Sequence, residues 1–173
     1  MTNIRPASPV DTKAIAEVHL HAFPTDAEAR LVALLQERGK PTISLVAEEA
    51  GRIVGHILFS PATIGRTGQP TILGLGLAPL AVLPEFQRRG IGSALTVAGL
   101  VECRHLAADF IALIGHPAYY PRFGFEPAGP LGLTCDFGSG DAFQIIVENK
   151  GLLSLADGVV RYADEFYELF LPA

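Results

Sequence analysis

Residues 80–93 constrain the fold more than any other stretch, because an apolar strand there runs through a turn into the start of a helix. The first backbone N–H groups of a helix have no partner within the helix and lie at the positive end of its dipole, so they favour an anion. Arg88, Arg89, Gly90, Gly92 and Ser93 surround the predicted helix start. Arginine and serine side chains suit phosphate oxygens and glycine allows close approach, so we expect a ligand that carries a pyrophosphate.

Two common phosphate-binding motifs do not fit this stretch. A dinucleotide-binding fingerprint needs a third glycine three residues after Gly92, where the chain has Leu95, and a Walker loop needs a Gly-Lys-Ser or Gly-Lys-Thr that the sequence lacks. A strand, a proline turn and two glycines at a helix start also occur in domains that bind nothing. The stretch alone therefore leaves the ligand open.

Two segments together resemble the GNAT N-acetyltransferase superfamily. Residues 87–92, with the sequence QRRGIG, match its acetyl-CoA motif of Gln or Arg, two variable residues, Gly, one variable residue, and Gly or Ala. In a later GNAT segment a tyrosine stands four residues before a Gly-Phe pair, and Tyr120 holds that position before Gly124 and Phe125. Both segments look most like the YhbS-like group of predicted N-acetyltransferases, and the resemblance covers about residues 1–148.

The resemblance implies a fold and a co-substrate. The fold is a single α/β GNAT domain over residues 1–173, with a mixed central sheet that contains a splayed pair of parallel strands flanked by helices. The co-substrate is acetyl-CoA, without a metal, and its pantetheine arm runs beside the strand that precedes the motif. The implied cofactor-binding residues are Leu80, Ala81, Val82, Gln87, Arg88, Arg89, Gly90, Ile91, Gly92 and Ser93.

The resemblance also implies two catalytic groups. Tyr120 lies near the CoA sulfur and donates a proton to the leaving thiolate, and the main-chain N–H near Val82 stabilises the oxyanion; the alternative for Tyr120 is a core aromatic. Some GNAT enzymes carry a glutamate base on the splayed strand, but residues 71–83 hold no carboxylate. Glu85, His116 and a water relay remain as the base, and His116 is our candidate because imidazole has a suitable pKa.

Composition limits the classes of partner. Thirteen basic against eighteen acidic residues give a net charge of −5, which disfavours nucleic acid. No apolar run reaches the roughly 18 residues of a membrane helix, and residues 1–6 lack the apolar core of a signal peptide. Cys103 and Cys135 form no paired spacing. We expect a cytoplasmic protein with no membrane partner, and a homodimer is a candidate assembly.

Hydrophobic periodicity and turn residues predict the elements. Ser8 or Asp11 is expected to cap the first helix, and His19, His21 and Glu28 are expected to be surface or capping residues. Gly74, Gly76 and Pro79 predict a bulge or a partly unpaired backbone in the strand at 71–83. The predicted strands are 1–5, 43–48, 52–60, 71–83, 109–115, 123–126, 142–147 and 159–162. The predicted helices are one with apolar positions 15, 18 and 22 that Pro24 interrupts, one with apolar positions 27, 31, 34 and 35 that Gly39 ends, one with apolar positions 91, 94, 95, 98 and 101 after the motif, and one at 164–170, with a short helix or turn at 116–122.

We therefore predict an N-acetyltransferase in which a primary amine attacks the thioester of acetyl-CoA directly. A small-molecule amine is the leading acceptor, and a protein lysine or N-terminal amine is the alternative. A CoA-binding or sensing module with little activity also remains, because the strand lacks a carboxylate. A generic phosphate-binding domain is the third class, for which nucleotides would compete with CoA equally well.

Overall fold

The computed structural model describes residues 1–138, 140–152 and 154–171, within which nine strands and four α-helices form. The strands are β1 Asn3–Pro6, β2 Ile43–Glu49, β3 Arg52–Gly65, β4 Ile72–Val82, β5 Phe110–Ile114, β6 Glu126–Pro127, β7 Thr134–Cys135, β8 Phe143–Val147 and β9 Val159–Arg161. The helices are α1 Thr12–Ala22, α2 Ala27–Glu37, α3 Ile91–His105 and α4 Asp164–Phe170. No helix in the described ranges has the length and apolar character needed to cross a membrane.

The chain divides into two compact units. Unit 1 comprises Met1–Ser60 and Ala78–Glu102, and unit 2 comprises Pro61–Leu77 and the described part of Cys103–Ala173. The long strands β3 and β4 each contribute residues to both units.

Unit 1 is built on an antiparallel sheet with helices on both faces. β1 pairs with β2, and β2 pairs with β3 from Ile43 opposite Phe59 to Glu49 opposite Arg52. Ala50 and Gly51 join β2 to β3 with positive φ at both positions, as a two-residue type I′ turn requires. Neighbouring β3 residues face opposite sides, so His56 meets α1 and Gly55 meets α3. Buried apolar residues of this unit include Ile15, Val18, Leu31, Leu35, Val46, Val54, Leu58, Phe59 and Leu95.

Unit 2 contains the parallel pair of the sheet. β4 pairs with β5 in parallel through Leu75 with Ile111 and Gly76 with Ala112, as expected for a strand–helix–strand crossover. β5 pairs antiparallel with β8 along its whole length, β8 pairs with β6, and β9 pairs with β3 and with β7. The predicted mixed α/β architecture is confirmed.

The glycines of β4 have a packing role that the sequence did not indicate. A Cβ on Gly74 would lie 2.4 Å from Cδ1 of Phe110, and a Cβ on Gly76 would lie 2.5 Å from Cδ1 of Tyr162. These positions therefore lack side chains because aromatic rings lie directly against the strand.

Two predicted strand boundaries were wrong, and one strand was not predicted. β3 continues to Gly65 instead of ending at residue 60, because Ala62 and Ile64 remain buried on alternate positions. The strand predicted at 123–126 begins only at Glu126, since Tyr120–Phe123 forms a 3₁₀ helix that ends at the left-handed Gly124. β7 was not predicted, because its two residues are too few to show alternation.

Candidate active site

The loop between β4 and α3 lies in unit 1, and the predicted cofactor-binding residues lie at the end of β4, in this loop and in the first turn of α3. Two hydrogen bonds fix the end of β4 that leads into this loop. The Leu83 N–H donates to the Val54 carbonyl at 2.9 Å, and Gln87 Nε2 donates to the Val82 carbonyl at 2.9 Å. Pro84–Phe86 then forms one turn of 3₁₀ helix. Gln87 thus braces the end of β4 from within the motif.

The backbone at the start of α3 has the conformation that the glycine of the motif allows. Gly90 has φ of +84°, where a side chain is strained, and Arg88 also has positive φ, at 59°. Ile91 is buried and anchors the first turn. The Ala94 N–H donates to the Gly90 carbonyl at 2.9 Å, and the N–H groups before it lie at the positive end of the helix.

The two arginines of the motif differ in their surroundings. Arg89 donates to Glu49 Oε2 at 3.0 Å, and its guanidinium lies 5.0 Å from the centre of the Phe86 ring. Arg52 lies near the same ring at 5.5 Å. These contacts hold Arg89 against the β2–β3 hairpin, whereas Arg88 is exposed beside the start of α3.

Glu85, one of the base candidates, lies in the same loop. It accepts a hydrogen bond from Arg52 at 3.0 Å. Its own backbone N–H, and then Arg52, keep the pKa of the carboxyl below its usual range. A carboxylate with a lowered pKa is a weaker base, so this environment does not favour proton abstraction by Glu85.

Tyr120 lies in unit 2, at the start of the 3₁₀ helix that follows β5. Its ring packs edge-on against Phe125 at 5.7 Å and Tyr119 at 4.9 Å between ring centres. Its ring also lies against Gly115, where an added Cβ would be 2.4 Å from Tyr120 Cε2. Burial raises the pKa of Tyr120 to about 12, so the phenol stays protonated at neutral pH.

His116 lies between the end of β5 and the 3₁₀ helix that begins at Tyr120, and it is exposed. The Ala118 N–H donates to its Nδ1 at 3.2 Å. In the neutral ring the proton then resides on Nε2, which leaves no lone pair for a substrate proton. This contact is typical of a residue that caps a turn.

Sequence reasoning missed a buried polar chain in unit 1. Ser44 Oγ lies 2.9 Å from His56 Nε2, and His56 Nδ1 lies 2.8 Å from His19 Nε2. Both imidazoles have no exposed surface, so the expectation of a surface or capping role for His19 was wrong. The spacing of His19 four residues after Ile15, on the apolar side of α1, could have indicated this. His21 is exposed, as predicted.

Burial of the histidine pair predicts a fall in stability at acidic pH. Desolvation lowers the pKa of His19 to about 4 and that of His56 well below its usual value. Below the unfolded pKa near 6.5 the unfolded chain gains protons that the folded chain excludes, so stability falls as pH drops from 6.5 towards 4. At pH 5 we expect His19 alone to lower the free energy of unfolding by about 2 kcal/mol relative to pH 8.

Denaturant unfolding at pH 5 and pH 8 measures this effect. His19→Gln should show a smaller pH-dependent loss than the parent, and His21→Gln, on the exposed side of the same helix, should keep the parental loss. An equal loss in the parent and in His19→Gln would contradict the prediction.

Comparison with known proteins identifies the family. Residues 3–128 match the family model described as an acetyltransferase (GNAT) domain. The chain belongs to the GNAT acetyltransferase family. It is therefore an acyltransferase, and the resemblance predicted from residues 87–92 and 116–125 is confirmed.

GNAT relatives from Escherichia coli K12 match most of the chain. The uncharacterized N-acetyltransferase YjhQ is 42% identical over 130 residues, which cover 73% of this chain and 71% of that protein. The uncharacterized N-acetyltransferase YhbS is 34% identical over 165 residues, which cover 94% of this chain and 97% of that protein.

Two solved GNAT structures share the fold. The crystal structure of Escherichia coli YhbS in complex with CoA has a TM-score of 0.82 at 32% identity, covering 95% of this chain and 91% of that one. A GNAT acetyltransferase from Brucella melitensis in complex with acetyl-CoA has a TM-score of 0.78 at 32% identity, and the match covers 96% of this chain and 98% of that one. The predicted GNAT fold is confirmed.

Proposed function

We propose that this chain transfers the acetyl group of acetyl-CoA to a primary amine, with a small molecule as the acceptor. The observation that carries the proposal is the loop from β4 to α3, where the end of β4, held by Gln87, is followed by left-handed Gly90 and the start of α3. The CoA and acetyl-CoA in the two similar structures support this ligand. We further propose that residues 1–173 act as one GNAT domain in the cytoplasm.

The proposed cofactor contacts follow the chemistry of the loop. Backbone N–H groups from Gly90 to Ser93 receive the pyrophosphate, and the exposed Arg88 adds charge. Pantetheine extends beside residues 80–82 as an added strand, with Gln87 and Arg89 fixing the loop and Ile91 anchoring the helix. The Val82 N–H stabilises the oxyanion.

The proposed reaction has no covalent enzyme intermediate. The neutral amine attacks the thioester carbon and loses one N–H proton to a base, the carbon–sulfur bond breaks as the tetrahedral intermediate collapses, and the thiolate takes a proton. We assign this proton to the Tyr120 hydroxyl, which burial keeps protonated. His116 stays a prediction for the base, although its Nδ1 contact with Ala118 favours a turn-capping role.

Thiol release from acetyl-CoA tests the function against the alternatives. The panel contains small primary amines, lysine-containing peptides and peptides with free N-termini. The proposal predicts that small amines are the better substrates. Preferred turnover of peptides would shift the acceptor to proteins, and CoA binding without turnover of any amine would favour a sensing module. Equal competition by nucleotides would favour a generic phosphate-binding domain.

The contact between Gly115 and the Tyr120 ring predicts that a substitution at Gly115 lowers turnover. A Cβ at Gly115 would lie 2.4 Å from Cε2 and 2.9 Å from Cδ2 of the tyrosine ring, so alanine must displace the ring. If the hydroxyl acts as the acid, Gly115→Ala should lower kcat about tenfold or more, with CoA-induced stabilisation as in the parent. Gly129→Ala is the matched control in unit 2, because nothing lies within 4 Å of its added Cβ.

Steady-state turnover and thermal melting with and without CoA measure both variants. Parental kcat in Gly115→Ala would contradict the assignment of the hydroxyl position.

A further inference from the structure

The loop between β4 and α3 carries backbone strain at its exposed end. Arg88 has φ of +59° and Gly90 has φ of +84°, and the left-handed region is unfavourable for a residue with a side chain, such as Arg88. Residues 87–90 are exposed. The backbone hydrogen bonds of the preceding 3₁₀ turn join residues of the loop only. A strained and exposed segment keeps one conformation only where contacts with other elements hold it.

The β2–β3 hairpin supplies such contacts through two ion pairs and one aromatic ring. Glu49 Oε2 accepts a hydrogen bond from Arg89 Nη2 at 3.0 Å. Arg52 Nη2 donates to Glu85 Oε1, also at 3.0 Å. Both guanidiniums lie near the Phe86 ring, with the Arg89 group 5.0 Å and the Arg52 group 5.5 Å from its centre. The hairpin therefore holds the loop with one carboxylate and one guanidinium.

The loop has no second attachment of this kind. Among the described residues, the hydrogen bonds, ion pairs and ring contacts that join residues 84–90 to an element other than β4 or α3 all go to the hairpin. Glu49 is the firmest of these anchors, because its side chain is 17% exposed and it also accepts a hydrogen bond from Thr2 Oγ1. The conformation of the loop thus depends on the hairpin.

These contacts form one cluster, which we call the hairpin clamp and which consists of Glu49, Arg52, Glu85, Phe86 and Arg89. An exposed ion pair alone contributes little. In the clamp each guanidinium is held twice, by a carboxylate and by the face of the shared ring, so the ring couples the two ion pairs. Removal of one member should therefore loosen the loop more than the loss of a single exposed pair would.

We propose that the hairpin clamp sets the affinity for CoA, with Glu49 and Phe86 as positioning residues. They hold the loop in the conformation that receives the pyrophosphate and act through Arg89, which directly precedes Gly90. This inference rests on the proposed CoA site at the start of α3. Because the clamp fixes the loop before CoA arrives, binding does not carry the entropic cost of ordering it.

The sign of one charge effect separates positioning from simple electrostatics. CoA is an anion, so loss of a negative charge close to its site strengthens binding if only long-range attraction matters. Binding would also strengthen if Glu49 merely kept Arg89 away from the phosphates, because Glu49→Gln would free that arginine. Positioning predicts the opposite result, which is weaker binding.

Calorimetric titration of Glu49→Gln with CoA measures this sign. We expect Kd to rise about fivefold, the scale of an ion pair coupled to a ring contact. Glu37→Gln is the matched control, because it removes the same charge from the exposed last residue of α2 in the same unit. The control should keep the parental Kd. An unchanged or lower Kd in Glu49→Gln would overturn the proposal.

Substitutions at Phe86 test the ring. Phe86→Leu keeps an apolar side chain but removes the aromatic face that both guanidiniums contact, so we expect a similar rise in Kd. Phe86→Tyr keeps the face and should have the parental Kd. Parental binding by Phe86→Leu, or equally weakened binding by Phe86→Tyr, would overturn the role of the ring.

Steady-state kinetics distinguishes positioning for CoA from a general structural role. Glu49→Gln and Phe86→Leu should raise KM for acetyl-CoA about fivefold and keep the parental kcat, because the clamp acts on binding and touches no reacting atom. A lower melting temperature with parental Kd and KM would assign the clamp to stability alone and overturn the proposal. A parent protein that binds no CoA would instead reject the proposed function.

Discussion

Replacing Tyr120 by phenylalanine is expected to lower kcat about 10²-fold, the usual scale for loss of a general acid. Phenylalanine keeps the ring and therefore its packing against Gly115 and Phe125, and it removes only the hydroxyl. CoA affinity and melting temperature should remain close to those of the parent. Steady-state turnover with the best amine, and melting with and without CoA, measure both properties.

The neighbouring Tyr119 supplies the control for this substitution. Its ring lies in the same aromatic cluster and is covered by the Arg122 guanidinium at 4.8 Å. Tyr119→Phe should therefore leave kcat unchanged. If Tyr120 is only a core residue, Tyr120→Phe will lower stability by roughly 1 kcal/mol and keep parental turnover, and that pattern would remove the hydroxyl from the mechanism.

Valine at Gly90 or Gly92 is expected to abolish stabilisation by CoA. With CoA at a hundredfold of its dissociation constant, the parent should gain about 2.7 kcal/mol. Gly90 has φ of +84°, so a branched side chain would force the loop out of its conformation. Bulk at Gly92, in the first turn of α3, would hold a pyrophosphate away from the backbone amides. Melting temperature as a function of CoA concentration measures the loss.

Gly39 offers a control matched for backbone strain in the same unit. It has φ of +65° and no atom within 4 Å of an added Cβ. Gly39→Val should lower the melting temperature yet keep the full CoA-induced shift. If CoA raises the melting temperatures of Gly90→Val and Gly92→Val as much as that of the parent, the pyrophosphate binds elsewhere.

Local patterns in the sequence were sufficient for most elements and for the loop at the start of α3. Helical spacing located α1, α2 and α3. The glycine spacing of residues 87–92 located a turn in which Gly90 adopts a positive φ that favours glycine. α4, at Asp164–Phe170, was also predicted with its observed bounds. These features depend on residues that are close in the chain, which is the range over which periodicity and turn chemistry act.

Contacts between distant residues could not be predicted in this way. His19 and His56 are 37 positions apart and Arg89 and Glu49 are 40 apart, so no local pattern links them. The same applies to Gly76, whose lack of a side chain follows from Tyr162, far along the chain. Tertiary packing decides such pairs, and the buried histidine pair and the anchoring of Arg89 became visible only in the structure.

The most direct test of acetyl transfer follows both products in one reaction. Acetyl-CoA with an isotopically labelled acetyl group is incubated with the enzyme and the best amine of the panel, and free CoA thiol and labelled N-acetyl amine are quantified together. Direct attack by the amine predicts equal amounts of the two products. Free thiol without acetylated amine, or CoA binding with neither product, would contradict the proposed function.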